Sequence, residues 1–379
     1  MIASSITEPA ALVLSGGGAR GAYQVGVLKA LSEKMPGPLP FGVVTGVSVG
    51  AINAAVIAER ADDFPAGAAK LEALWRGLRC SSVYDTRTSK ILARLGGFLT
   101  SFARPAPRAL LDASPLAELL AREIDFGRLA AMVGQGHLQA LAVTASSYSD
   151  GHSVTFYQGS RELRRWSRSR RRGEHQMIGV DHVLASAALP AVFESRRIGN
   201  TWYGDGALRQ VAPLSPAIHL GSQRLFLIAA RDGVPDAPDT APGEAPYPPL
   251  GLLAGQLLDI VFNDHLDADL ERLDRINQTL ERMSEERRGE VPLVPIATHL
   301  VRPSEDIRLL AGAHWAEAPD GVRLLLRLLG ASEGDGTLPS YLVFEPGYVG
   351  ALIDLGYADA RAEMDRLLAF IRNEPSPVS

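Results

Sequence analysis

Three short stretches hold residues whose types and spacing suit acyl chemistry or the binding of an anion. Residues 12–23, LVLSGGGARGAY, run from an apolar strand through Gly16, Gly17 and Gly18 into helical sequence. Glycine has no side chain to hold a ligand away, so successive main-chain N–H groups converge on an anion there. That anion is either a phosphate or the negative oxygen that exists only during acyl transfer. Residues 46–50, GVSVG, set Ser48 between Gly46 and Gly50 where a second apolar strand meets a helix. A sharp turn of this kind exposes a nucleophilic hydroxyl, and small flanking residues let it form. Unpaired amides at the helix start, Val49 N–H among them, favour negative charge near the serine oxygen. In the third stretch Asp205 stands between Gly204 and Gly206 after a short strand-like segment. Asp-Gly is equally a common surface turn.

A serine nucleophile needs a base, and histidine is the usual one. The chain has eight histidines, none in a recognisable catalytic setting and no two at metal-ligand spacing. No metal or cofactor is therefore expected. Asp205 offers a different base, although an ordinary aspartate, with a pKa near ~4, matches a serine hydroxyl poorly. A partly dry pocket would raise that value, so such a pocket is expected around Asp205. Arg20 is expected to support the glycine loop, to meet an anionic head group, or to be an ordinary surface arginine.

The elements that must position these residues read as an alternation. Strands are expected at residues 11–14, 41–47, 138–146, 153–158, 224–230 and 297–303, and helices follow each of the first two. Strand, glycine turn, helix, twice over, implies parallel strands with crossover helices. Residues 60–135 look mostly helical, with Ser114 as an N-cap ahead of Pro115. The organisation expected is a catalytic core over residues 8–232, a proline-rich loop over 233–249, and a mostly helical region over 250–379 that packs on the core.

The 379 residues, 46% of them apolar, suffice for a large core, and the net charge of −5 argues against a wholly basic nucleic-acid binder. A single cysteine, Cys80, excludes an internal disulfide. The first residues lack a basic segment and a long apolar run, and nowhere is an apolar run long enough to span a bilayer. A cytoplasmic protein is the expectation, with signal-independent secretion left open.

Taken together, GGGARG (16–21), GVSVG (46–50) and DGA (205–207), in this order, resemble the patatin-like phospholipase family. ASAALPAVFE (185–194) resembles that family's alanine-rich helix, proline and phenylalanine ahead of its aspartate. The resemblance covers about residues 10–232. It implies a three-layer αβα sandwich around a mainly parallel sheet and a lipid acyl hydrolase of phospholipase A or lysophospholipase type, acting on phospholipid or lysophospholipid esters. It further implies a Ser-Asp dyad without histidine, with Ser48 as nucleophile, Asp205 as base, and Gly16, Gly17 and Gly18 as the oxyanion loop. Acyl transfer at the same site is an alternative. A phosphate or dinucleotide module is another, although GGGARG lacks the Lys-Ser/Thr ending of a P-loop.

One stretch lies outside these motifs. Residues 161–172, RELRRWSRSRRR, carry seven arginines and Trp166 against one glutamate. Peripheral contact with an anionic membrane is one reading, with Trp166 inserting at the interface; a solvated insertion is the plain one. With one aromatic residue the stretch is a poor platform for stacking RNA bases.

Overall fold

A strand with no polar break must be covered on both faces, and β1 (Ala10–Leu14) is buried at all five positions. The computed structural model describes residues 9–99, 109–231 and 250–375, so the proline-rich loop expected at 233–249 lies outside the described residues. Among them, β1 joins β2 (Phe41–Val47), β3 (Ala140–Ser147), β4 (Ser153–Gly159), β5 (Trp166–Arg168), β6 (Arg171–His175), β7 (Arg196–Ile198), β8 (Thr201–Asp205), β9 (Arg224–Ile228) and β10 (Ala297–Val301) in one sheet. Its main path runs β10-β9-β1-β2-β3-β4-β6-β5, and β8 pairs with β3 and carries β7 outside it. The first five strands of that path are parallel, whereas β4 and β8 both run antiparallel to β3.

Alternation along β1 divides the core into two layers. Ala10, Leu12 and Leu14 face α1 (Ala22–Lys34), α2 (Val49–Ala58) and α3 (Phe64–Arg76), in one cluster with residues such as Leu28, Ile57 and Trp75. Ala11 and Val13 face the opposite layer, with Leu214, Leu220, Leu266 and Leu273. The molecule is thus an αβα sandwich with a mainly parallel central sheet. Local signals place the helix ends. Asp63 caps α3 by accepting from Ala66 N–H at 3.1 Å. Ser114, expected as an N-cap, is instead the first residue of α4 (Ser114–Glu123), and Asp112 accepts its N–H at 3.0 Å.

The sheet continues with α5 (Val180–Ser186), α6 (Ser215–His219), α7 (Leu250–Asp259), α8 (His265–Glu281) and α9 (Pro346–Ala362) around it. Packing of the last of these is close enough to forbid a side chain at two crossing points. A Cβ on Gly26 of α1 would collide with the Ile353 carbonyl, and one on Gly356 of α9 with the Tyr23 carbonyl. Either Gly→Ala change would force the helices apart. No described helix is long and apolar enough to cross a membrane.

The arginine-rich stretch differs from a loose insertion, because residues 166–175 form the β5–β6 hairpin at the sheet edge. Trp166 is not offered for insertion. It stacks on Tyr157 at 5.2 Å, lies 5.0 Å from His219 and covers Gly173. Charge on an edge strand also discourages pairing with a second sheet.

Candidate active site

Sheet register decides which residues meet. Leu14 at the end of β1 pairs with Gly46, so the glycines after β1 and Ser48 after β2 leave the sheet side by side. Val47, the last residue of β2, pairs with Thr144, and the next residue of β3, Ala145, pairs with Asp205 at the end of β8. Strands β2 and β8 therefore meet end to end along one side of β3, with Ser48 and Asp205 at the junction.

Ser48 occupies a conformation that L-residues rarely adopt, φ 53° and ψ −127°, and it opens α2. Its N–H donates to Ser186 Oγ at 2.9 Å, and that hydroxyl donates to Thr144 C=O at 2.6 Å. The strained turn is held by a buried hydroxyl from α5, which is how surrounding structure sustains such backbone. Gly46, Gly50 and Gly206 leave room for it: a Cβ on any of them would strike a main-chain carbonyl, of Gly50, Leu14 and Thr144 respectively.

Asp205 is wholly buried. Burial raises its pKa to about 7, while the nearby Ser48 side chain and the Ala207 N–H, donating to Oδ1 at 2.9 Å, pull the other way. Among the described residues no hydrogen bond of ordinary geometry reaches its buried Oδ2, and the Ser48 side chain is the nearby donor that lowers its pKa. That oxygen has the capacity to take a proton.

Gly17 and Gly18 have φ of 148° and 57°, values open to glycine at little cost. No described residue accepts from either amide. A Cβ on Gly16 would stand 3.2 Å from Ser48 Cβ and 2.5 Å from the Phe262 ring, so the loop lies directly against the serine. Beneath it runs a buried polar chain. Gln24 donates to Ser15 C=O at 2.9 Å, Asn53 to Gln24 at 2.9 Å, and Trp75 to Asn53 at 2.8 Å.

Arg20 is 1% exposed. Its Nε donates to Ser340 Oγ at 2.9 Å, its Nη1 pairs with Asp259 Oδ1 at 2.8 Å, and its guanidinium lies 3.7 Å over the Tyr341 ring. Tyr341 O–H donates to the same Asp259 oxygen at 2.5 Å. Such burial leaves no face for an external head group. Sequence reasoning missed Asp259, Phe262, Ser340 and Tyr341, which stand in no motif; a buried arginine demands a carboxylate but does not say which.

These residues border a cleft of about 720 Å³, part of it open to solvent, lined by Ser48, Val49 and Asp205 and otherwise by apolar groups such as Trp75, Leu116, Leu189, Phe193 and Phe344. Its size and lining suit a small apolar ligand with a few polar groups at one end. No histidine is among the described residues that line it, nor is any residue of the arginine-rich stretch.

A family model described as patatin-like phospholipase matches residues 12–218. Lysophospholipase nte1 of Aspergillus terreus is 52% identical over 54 residues, 14% of this chain and 3% of that protein; the chain thus spans a small part of that relative. Among solved structures, human GIVD cytosolic phospholipase A2 in complex with methyl gamma-linolenyl fluorophosphonate is similar with a TM-score of 0.43 at 11% identity, over 97% of this chain and 59% of that one. VipD from Legionella pneumophila is similar with a TM-score of 0.35 at 12% identity, over 92% of this chain and 67% of that one.

Proposed function

This chain belongs to the patatin-like phospholipase family, and from that premise we propose that it hydrolyses fatty-acyl esters of phospholipids or lysophospholipids through Ser48 and Asp205. The observation that carries this reading is the buried Asp205, with a pKa raised to about 7 by burial and the Ser48 side chain as a hydrogen-bonding neighbour, beside the strained Ser48 turn. Asp205 accepts the Ser48 proton as Oγ attacks the ester carbonyl. The Gly17 and Gly18 amides, with Val49 N–H, donate to the oxygen where charge gathers, and one such donor typically contributes about 3–4 kcal/mol. Collapse of the tetrahedral intermediate breaks the ester C–O bond, and Asp205 returns its proton to the leaving alcohol. Water then attacks the acyl-enzyme with Asp205 again as base, releasing a fatty acid and free Ser48.

The apolar cleft takes the acyl chain, and Arg20 holds the glycine loop through Asp259 and Tyr341. Fluorophosphonate labelling of the wild type and of Ser48→Ala and Asp205→Asn, paired with fatty-acid release from a lipid panel, tests the scheme. Loss of nucleophile is expected to remove label and to lower turnover by about 10⁵-fold or more. Label that persists in Ser48→Ala would move the nucleophile elsewhere. A competing alcohol acceptor in the same assay separates hydrolysis from acyl transfer.

A further inference from the structure

Three hairpins turn at the end of the sheet that carries Ser48. Strand β3 runs parallel to β2, and its register with β4 and β8 places both the β3–β4 turn (148–152) and the β7–β8 turn (199–200) beyond that end. Ser153 at the start of β4 pairs with Arg171 at the start of β6, which brings the β5–β6 turn, Ser169 and Arg170, to the same end. About 14 Å of sheet, three strand spacings, separates β6 from β2.

This geometry splits the arginine-rich stretch. Arg161, Arg164 and Arg165 precede β5 at the opposite end, where Ser160 N–H donates to Gln139 C=O ahead of β3. Arg168 and Arg170 turn toward the site end, and Arg197 from β7 joins them there. All three are exposed and none is paired with a carboxylate among the described residues. Among the described residues Arg168 bonds to Ser167 C=O at 3.1 Å, and Arg197 to Gly199 C=O at 3.1 Å and to Asn200 at 3.4 Å. Arg172, by contrast, is neutralised by Asp150 and Glu174. Tyr148 and Trp202 stand at this same end, 47% and 41% exposed, with Tyr148 N–H donating to Trp202 C=O at 3.0 Å. From the cleft wall at Leu189 and Phe193 the chain leads directly into β7.

Unpaired arginines with exposed Tyr and Trp on one rim match the charge and polarity profile of an anionic lipid interface. Resting on the lipid-hydrolase reading, we propose that the three hairpin turns form a docking face that sets the cleft against a negatively charged lipid surface. Co-sedimentation of the full chain with vesicles of phosphatidylcholine, alone or with phosphatidylserine, reads it. Each arginine near such a surface is worth about fivefold in partitioning, so R168E/R170E/R197E is expected to lose about a hundredfold or more on the anionic vesicles. R161E/R164E/R165E makes the same charge change at the other end and is expected to lose less than about fivefold.

Turnover of a soluble short-chain ester, which needs no surface, reports that both variants are folded and should match wild type. Equal losses from the two triples would overturn the docking face. So would wild-type binding that ignores vesicle charge, or capture by RNA in preference to vesicles. Wild type that docks on anionic vesicles but releases no acyl chain would instead remove the hydrolase reading and leave the face standing.

Discussion

The candidate site has two halves built on different principles. One half consists of strand ends: the glycine loop after β1, Ser48 after β2 and Asp205 at the end of β8. Its geometry is set by main-chain register and by glycines whose missing side chains leave room for carbonyl oxygens. The other half comes from residues 259–344, where Asp259, Phe262, Ser340, Tyr341 and Phe344 reach in by side chain. Around Ser48 and Asp205 the backbone half leaves no room for an added atom, because a Cβ on Gly46, Gly50 or Gly206 would meet a main-chain carbonyl fixed by the strands and the turn. The side-chain half works through contacts that rotamers can adjust. Damage to the first should therefore read as lost chemistry, and damage to the second as lost stability and a looser loop.

Asp205→Asn should give the largest effect among tests of this contrast. Loss of a general base typically costs about 10²–10⁴-fold in kcat. In wild type the rate should rise with pH through about 7, where Asp205 loses its proton, and that limb should vanish in the variant. Stability should move the other way. Because burial raises the folded pKa of Asp205, its neutral form stabilises the fold fully below pH ~4, and that contribution is lost as pH rises through about 7. Denaturation at pH 8 should thus find Asp205→Asn more stable than wild type, with the gap closing at pH 4. A gap that stays the same from pH 4 to pH 8 would mean that the folded pKa of Asp205 is not raised and that the site does not desolvate its carboxylate.

Gly18→Ala comes next. A methyl group there would meet the Tyr341 carbonyl, at a φ of 57° that alanine resists. Displacing one oxyanion donor is expected to lower kcat by about 10²–10³-fold with little change in KM. If Gly18→Ala turns over normally, that amide is not part of the oxyanion hole.

Asp259→Asn probes the other half. It leaves the Arg20 guanidinium buried without its charge partner, which should cost about 3 kcal/mol in denaturation experiments and lower kcat less than Gly18→Ala does. Tyr341→Phe keeps the ring over Arg20 and removes only the hydroxyl bond to Asp259, an expected loss of about 1 kcal/mol. A larger kcat loss in Asp259→Asn than in Gly18→Ala would erase the distinction between the halves.

Much of the fold was legible because β1, β2, β3 and β9 are apolar runs too regular to be anything but buried strands. The short strands β5, β6 and β7 were not, since at three to five residues, with arginine in each, they carry no apolar period, and β8 showed only as a strand-like segment ahead of Asp205. Pairing with neighbours makes them strands. The candidate residues Gly16–Gly18, Ser48 and Asp205 could be named in advance because each motif is contiguous and its backbone needs are local. Ser186 was not singled out, being one serine inside an alanine-rich helix, although it holds the Ser48 N–H.

What the sequence by itself determined is thus the local chemistry: where the chain turns sharply, where amides are bare, and which strands must be covered on both faces. Only the tertiary structure decided the company these residues keep. It brought Asp259 and Tyr341 to Arg20 from more than two hundred residues away, and it divided one run of arginines between two ends of a sheet. The physical reason is that covalent neighbours fix conformation within a turn or a strand. Charge pairing and sheet register depend on which distant surfaces the packed core brings into contact.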